Sequence, residues 1–241
     1  MAWLKIVILC LFLLASQQAS CSQIRFGESL CHDSDYFCMK IRPHDTWERL
    51  FPESMELDVV QRVNRMNVPL KAGMVIAVPK NIEHLTIYDV SPFPRTIPAR
   101  GEKIIFVSQE KLAWGAYDEQ GDLLWWGPIS SGSGKCTQSD GGCLTPSGSF
   151  RIIRKQDDTC VSTAFPIQTE DEFSGGAPMP YCMHFFRGFA LHGSDVIPGY
   201  RASHGCVRMF VEDARWLNED FIQLPGNGNQ GTQVIIGSLD E

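Results

Sequence analysis

Apolar residues along this chain fall into three regimes. From Ile6 to Ala15 they form one unbroken run behind Lys5, followed by the small or polar residues Ser16 to Ser20. That is the layout of a secretory signal over residues 1–20, and the run is too short to span a bilayer. Within 31–80 the spacing becomes helical: Trp47, Leu50 and Phe51 recur on one face, as do Leu57, Val60, Val63 and Met66. Met39 to Arg42 before them and Val75 to Val78 after them read as short strands. Asp45 or Thr46 is placed to cap the first helix, and Asn67 to break the second. The prediction is a compact strand–helix–helix–strand unit. Residues 81–100 carry Pro92, Pro94 and Pro98 with few periodic apolar positions, which predicts an extended, stiff connector.

Over 101–238 the pattern turns to short strands. Lys103 to Val107 reads as a buried strand. Lys111 to Tyr117 alternates and turns at Asp118–Gly121 into Leu123–Trp126. After Ser130-Ser131-Gly132 and a Cys/Gly/Ser loop, Thr145 to Phe150 leads into a strand at Arg151–Arg154. A helix is expected from Val211 to Phe221 and a closing strand at Gln233–Ile236. The expected fold is mainly β (α+β over the whole chain): a curved β-sandwich with one late helix, preceded by the small βααβ unit.

Charge and cysteines narrow the setting. The formal net charge is −7, more negative once Lys5 leaves with the signal, and no basic cluster offers a nucleic-acid surface. Nine cysteines suit an oxidising compartment, so the protein is expected to be exported to the periplasm or cell envelope. Gln18-Ala19-Ser20-Cys21 resembles a bacterial lipoprotein box, although Gln18 stands where an aliphatic residue is usual. Membrane anchoring by lipid at Cys21 and plain cleavage are both left open. Local spacing suggests the pairs Cys31–Cys38, Cys136–Cys143 and Cys160–Cys182, one connectivity among many, and leaves Cys206 unpaired. Taken without its neighbours, Cys206 could equally be an inert buried thiol or part of a fourth bridge.

The neighbours change that balance. Ser203-His204-Gly205-Cys206-Val207-Arg208-Met209 follows closely on Leu191-His192-Gly193-Ser194-Asp195. A thiol at its free pKa is only a few per cent thiolate at neutral pH, and His192 is placed to take its proton. An oxyanion formed on attack needs donors, which backbone N–H groups around Gly205 can supply, and Gly205 leaves room for a substrate. No C-x-x-C pair or H-x-x-x-H helix occurs, and His192, His204 and Cys206 lack a fourth ligand, so neither metal nor cofactor is expected.

These strings, in this order with Ser130-Ser131-Gly132, Thr145-Pro146-Ser147-Gly148-Ser149-Phe150 and Gly231-Thr232-Gln233-Val234, resemble the YkuD-type catalytic domain of L,D-transpeptidases. The earlier unit resembles a LysM module through Asp45-Thr46-Trp47, Asn64, Asn67 and Leu70-Lys71-Ala72-Gly73, with His44 where that family usually has glycine. The resemblance implies peptidoglycan stem peptides and glycan strands as partners. It implies Cys206 as nucleophile, His192 as base, the Gly193 carbonyl as its orienter, and the N–H groups of His204, Gly205 and Cys206 as oxyanion hole. It also implies Arg208 as a clamp for a substrate carboxylate. Ser203 is expected to fix the loop, and Tyr181 and His184 to line the cleft. The cysteine pairs around Gly132–Leu144 and across Cys160–Cys182 are expected to brace a lid made by Gln168–Gly176. A carboxypeptidase or amidase on the same fold, and a non-enzymatic wall-binding or host-interaction protein, are the alternatives.

Overall fold

The computed structural model describes residues 23–134, 143–166 and 176–239, the side chains of 164–166 excepted. The signal segment and Cys21 therefore lie outside the described residues, as do Cys136 and most of the expected lid. Among the described residues, no helix is long and apolar enough to cross a membrane.

The chain opens with a short helix, α1 (Phe26–Ser29), and continues as β1 (Tyr36–Lys40), α2 (Trp47–Leu50), α3 (Ser54–Asn64) and β2 (Val75–Pro79). The βααβ order predicted from spacing is present, and β1 pairs antiparallel with β2, Cys38 opposite Ala77. Thr46, not Asp45, caps α2, its hydroxyl accepting from the Arg49 N–H. The second helix stops earlier than predicted, because Arg65 turns left-handed at φ 54°. Asn64 then fixes that helix on β2. Its amide accepts from Ala77 N–H at 2.8 Å and donates to Ala77 C=O at 2.7 Å. His44 adopts φ 71°. A glycine holds that conformation without strain, and an L side chain pays roughly 1–2 kcal/mol for it.

The rest is β3 (Ile104–Ser108), β4 (Ala113–Tyr117), β5 (Leu123–Ser130), β6 (Gly148–Arg151), β7 (Arg154–Lys155), β8 (Val161–Pro166), β9 (Gly176–Pro178), β10 (Met183–Phe186), β11 (Phe189–Gly193) and β12 (Val207–Met209). Then come α4 (Val211–Trp216), extended by a π-helical turn to Phe221, β13 (Pro225–Gly226), β14 (Asn229–Gln230) and β15 (Gln233–Ile236). One nine-stranded sheet runs β6-β15-β3-β4-β5-β12-β11-β10-β7. It curls back on itself: Phe150 on one edge strand packs its ring 5.3 Å from Phe185 and from Phe186 on β10, near the other edge. The curl encloses a core of Ile105, Trp114, Ile129, Leu191, Val207, Leu217 and Val234. The fold is thus mainly β, with the sandwich-like curvature and late helix read from the sequence. The strand expected at Arg151–Arg154 ends at Arg151 instead. Ile152 turns into the core and pairing resumes at Arg154.

The connector is less independent than its prolines suggest. Tyr88, Val90, Phe93 and Ile97 lie against Ala113, Tyr117, Leu123 and Trp126, on the outer face of β4 and β5. That is why every residue of β4 is buried, where simple alternation would leave one face wet. Gly115 makes the fit: a Cβ there would stand 3.1 Å from the Phe93 ring.

The βααβ unit packs on the same sheet through arginines. Arg62, 3% exposed, donates from its two terminal nitrogens to both carboxylate oxygens of Asp213 at 3.0 and 2.8 Å, and also to Trp126 C=O and Asp58. A buried guanidinium is tolerable because its N–H groups find acceptors of this kind. Trp125 Nε1 donates to Asp213 as well, at 2.9 Å. Arg65 lies over the rings of Phe26 and Trp126 and donates to Lys111 C=O at 3.0 Å. The unit is docked on the sheet rather than tethered to it.

Candidate active site

β11 and β12 are parallel neighbours, with Leu191 opposite Val207 and His192 opposite Arg208. Adjacent parallel strands cannot be joined by a tight hairpin, so the chain must double back between them. Residues 194–206 are that return, which explains why His192 and Cys206 are distant in sequence and close in space. Alternation puts Leu191, Val207 and Met209 into the core and turns Ala190, His192, Cys206 and Arg208 to the other face. There a cleft of about 360 Å³ is lined by His192, Gly193, Ser194, Asp195, Val196, Ser203, His204, Cys206, Arg208 and Val211. Ser162 and residues 177–180 form its far wall.

The return loop is zipped onto the end of β5. Ser130 Oγ donates to Tyr200 C=O at 2.8 Å and accepts from Ala202 N–H at 3.0 Å, and Ser203 N–H donates to Ser131 C=O at 3.0 Å. Gly132 bridges to Ser203. A Cβ at Gly132 would lie 2.0 Å from the Cys143 carbonyl, which accounts for the Ser-Ser-Gly string. Thr145 locks the turn that carries Cys206, accepting from Gly132 N–H at 2.9 Å and donating to Gly205 C=O at 2.7 Å. The sequence shows Thr145 only as part of a motif; its role needs the fold.

Two expectations about the turn change. Gly205 takes φ 122°, and a Cβ there would meet the Phe189 ring at 2.6 Å. The glycine is therefore required by backbone shape and by Phe189, more than by room for substrate. Its N–H donates to Ser203 Oγ at 3.0 Å, and the same hydroxyl donates to Cys206 C=O. Ser203 does fix the loop, and in doing so it takes the Gly205 N–H out of the expected oxyanion donors.

His192 is 5% exposed, and its Nδ1 lies 2.9 Å from Gly193 C=O. A carbonyl only accepts, so Nδ1 carries the proton and Nε2 keeps its lone pair. Gly193 itself is held tightly: its N–H donates to Pro180 C=O at 2.8 Å, and a Cβ would press to 3.0 Å from Val211 Cα. Burial lowers the His192 pKa to about 4, and burial raises that of Cys206, the Ala190 backbone hydrogen bond and then the nearby Arg208 cation offsetting only part of it. Both groups rest neutral at physiological pH. The cleft holds a neutral thiol, its Sγ 3.9 Å from Gly188 C=O, and a free imidazole base, not a standing thiolate–imidazolium pair.

Arg208 is partly buried and forms no salt bridge among the described residues. Burial pulls its pKa down, but an arginine starts high enough to stay charged. Arg208 is therefore a cleft cation with no salt-bridge partner among the described residues, Asp195 lining the same cleft without pairing to it. Tyr181 and His184 do not line it. Tyr181 turns at φ 57° and packs against the core, its N–H donating to Asp157 C=O at 2.9 Å. His184 is buried on β10, opposite Ala190 and Arg154 in the strand pairing. Burial, then Arg154, lowers its pKa to about 4.

Cysteine pairing follows local spacing where it is described. Cys31–Cys38 and Cys160–Cys182 are bonded, Cys143 is bonded to a cysteine outside the described residues, and Cys206 is free. Cys160–Cys182 closes the base of the β8–β9 hairpin, whose residues Ser162, Ala177 and Pro178 face Cys206 across the cleft.

The two buried histidines give a signed pH expectation. The unfolded chain takes up protons below pH 6.5, the folded protein only near 4, so stability falls as pH drops through that window. Denaturant melts at stepped pH should show this, and His192→Gln should remove part of it. Turnover that needs neutral His192 should hold down to about pH 5 and collapse near 4.

Cys206 with its free thiol, His192 with its ring oriented by the Gly193 carbonyl, and the Arg208 guanidinium thus line one cleft on a curled β-sheet. Residues 102–236 match the L,D-transpeptidase catalytic domain known as YkuD, and the chain belongs to that family. Among solved structures, the L,D-transpeptidase (residues 123–326) of Xylanimonas cellulosilytica is 23% identical. Its match covers 76% of this chain and 80% of that one, with a TM-score of 0.53. An L,D-transpeptidase (Yku) of Stackebrandtia nassauensis is 19% identical over 77% of this chain and 67% of that one, TM-score 0.45. That of Mycobacterium smegmatis is 18% identical over 57% and 59%, TM-score 0.43. No curated protein sequence is matched.

Proposed function

We propose that this protein is a peptidoglycan L,D-transpeptidase acting outside the cytoplasm, with Cys206 as nucleophile and His192 as base. The observation that carries the reading is the His192 ring. With Nδ1 committed to Gly193 C=O, its Nε2 lone pair is available on the cleft face that also carries Cys206. The donor is a stem tetrapeptide, cut between the L-centre of its diaminopimelate and its terminal D-alanine.

As Cys206 Sγ bonds to the scissile carbonyl, its proton passes to His192 Nε2. The Cys206 N–H stabilises the oxyanion in place of the committed Gly205 N–H. Collapse breaks the C–N bond, and the proton on His192 goes to the departing D-alanine amine. An acceptor amine then attacks the thioester and gives its proton to His192; the C–S bond breaks, that proton returns to Cys206 Sγ, and the acyl group leaves on the acceptor as a crosslink or a protein attachment. The Arg208 guanidinium holds a substrate carboxylate. Water as acceptor would give the carboxypeptidase.

The βααβ unit is proposed as a LysM-like glycan binder. A groove of about 810 Å³ lies between Met39–Pro43 and Ala72–Gly73, and the left-handed His44 preserves the glycine-like bend beside it. Whole protein should be retained on insoluble peptidoglycan and released by chitin oligomers; passage through in the void would end this part of the reading.

Incubation with disaccharide tetrapeptide, followed by mass spectrometry, tests the whole. A crosslinked dimer lacking one D-alanine is the expected product. Tripeptide alone would reassign the protein as a carboxypeptidase, and unchanged substrate as a binding protein.

A further inference from the structure

One wall of the cleft is held from outside the catalytic sheet. Asn67, just beyond α3, donates from Nδ2 to Ser194 C=O at 2.9 Å. Its Oδ1 accepts from Ile197 N–H at 2.9 Å, and its own backbone N–H donates to Ile197 C=O at 3.0 Å. In a closed β-turn the first residue's C=O accepts from the fourth residue's N–H. Here the Asn67 amide stands between those two groups of the Ser194–Ile197 turn and takes both bonds. Met66 and Pro198 extend the contact as an antiparallel bridge, and Phe26 N–H donates to Gly199 C=O at 2.8 Å.

The turn lies at the chemistry. Its first residue follows Gly193, whose carbonyl orients His192, and its exposed tip, Asp195 and Val196, lines the cleft with Cys206. Ile197 is buried but Asn67 only partly so, and losing the Asn67 amide leaves the Ile197 N–H without its acceptor and nearer to water. Without this clamp nothing from α3's end holds the turn, and its tip is free to shift away from the substrate.

We infer that Asn67 is a positioning residue for this active site: by holding the Ser194–Ile197 turn, it lets the N-terminal unit support one wall of the substrate cleft from behind. The inference rests on the acyl-transfer reading of that cleft. His192 and Cys206 are anchored separately, through Pro180, Thr145 and Ser203, so the effect falls on substrate placement and not on the thiol.

The experiment uses the whole protein and the variants Asn67→Ala and Asn67→Asp. The second keeps the side chain's shape and its acceptor for Ile197 N–H, but sets an oxygen against Ser194 C=O, so it covers the case in which alanine prevents folding. Four quantities are read: kcat and KM for disaccharide tetrapeptide, the rate of Cys206 alkylation by iodoacetamide, and amide exchange residue by residue. A wall displaced by an ångström can cost up to about 10²-fold. The expected result is a KM raised roughly tenfold or more, with kcat and alkylation within about threefold. In the alanine variant Ile197 exchange should be faster, with β3 and β4 amides unchanged. An unchanged KM in both variants overturns the inference. So does a loss of kcat, alkylation and sheet protection together, which would mark Asn67 as a merely structural residue. Wild-type turnover tests the functional reading, while the variant-to-wild-type ratios and the exchange pattern test Asn67, so the two can fail separately.

Discussion

Cys206→Ala should abolish covalent capture of a carbapenem, with no adduct mass under conditions that label the wild type completely. The β-lactam carbonyl is strained and needs only a positioned nucleophile and base, so its reaction isolates the first chemical step from acceptor choice. Cys206 is the free cysteine of the described residues, and the others there are in disulfides. Among the described residues no second thiol is at hand to substitute. The variant should fold normally, because the turn is held by Ser203, Thr145 and backbone bonds rather than by the sulfur. An adduct on the alanine variant would remove Cys206 from its role.

His192→Ala should lower turnover by roughly 10² or more, the scale of a lost general base. The neutral resting state makes the loss severe. Burial raises the Cys206 pKa, so little thiolate forms without a base to take the proton. The remaining rate should climb with pH as thiolate forms directly, a profile opposite to the wild type's flat neutral region. If the variant lost only a few-fold and kept the wild-type profile, another group would be the base. His204 is the alternative within the cleft, since His184 does not line it.

Much of this architecture is legible in the sequence. The helical spacing of Trp47 to Met66 and the strands at Ile104, Ala113, Leu123 and Gln233 depend on local pattern, and they appear where pattern puts them. The nucleophile and base stand out because thiol chemistry needs rare residue types beside glycines. What escapes the sequence is non-local. Nothing in Tyr88 to Ile97 announces that this segment covers the outer face of β4, because a surface apolar residue and a docked one look alike in a string. Asn64 and Asn67 carry the same motif weight, yet one pins a helix inside its own unit and the other reaches the catalytic loop. Tyr181 is near the motif in sequence but is turned away by its left-handed backbone, while His184 shares the face of Ala190 and His192 and stands one strand farther out, beyond the cleft lining.

The most direct measurement is the acyl-enzyme formed from the natural donor. Wild-type protein is mixed with disaccharide tetrapeptide, quenched in acid within the first turnover, digested, and the peptide containing Cys206 is weighed. A disaccharide tripeptide bound as thioester to Cys206, with one equivalent of D-alanine released, is the predicted result. Release of D-alanine with no adduct on Cys206, or an adduct on any other residue, would contradict it.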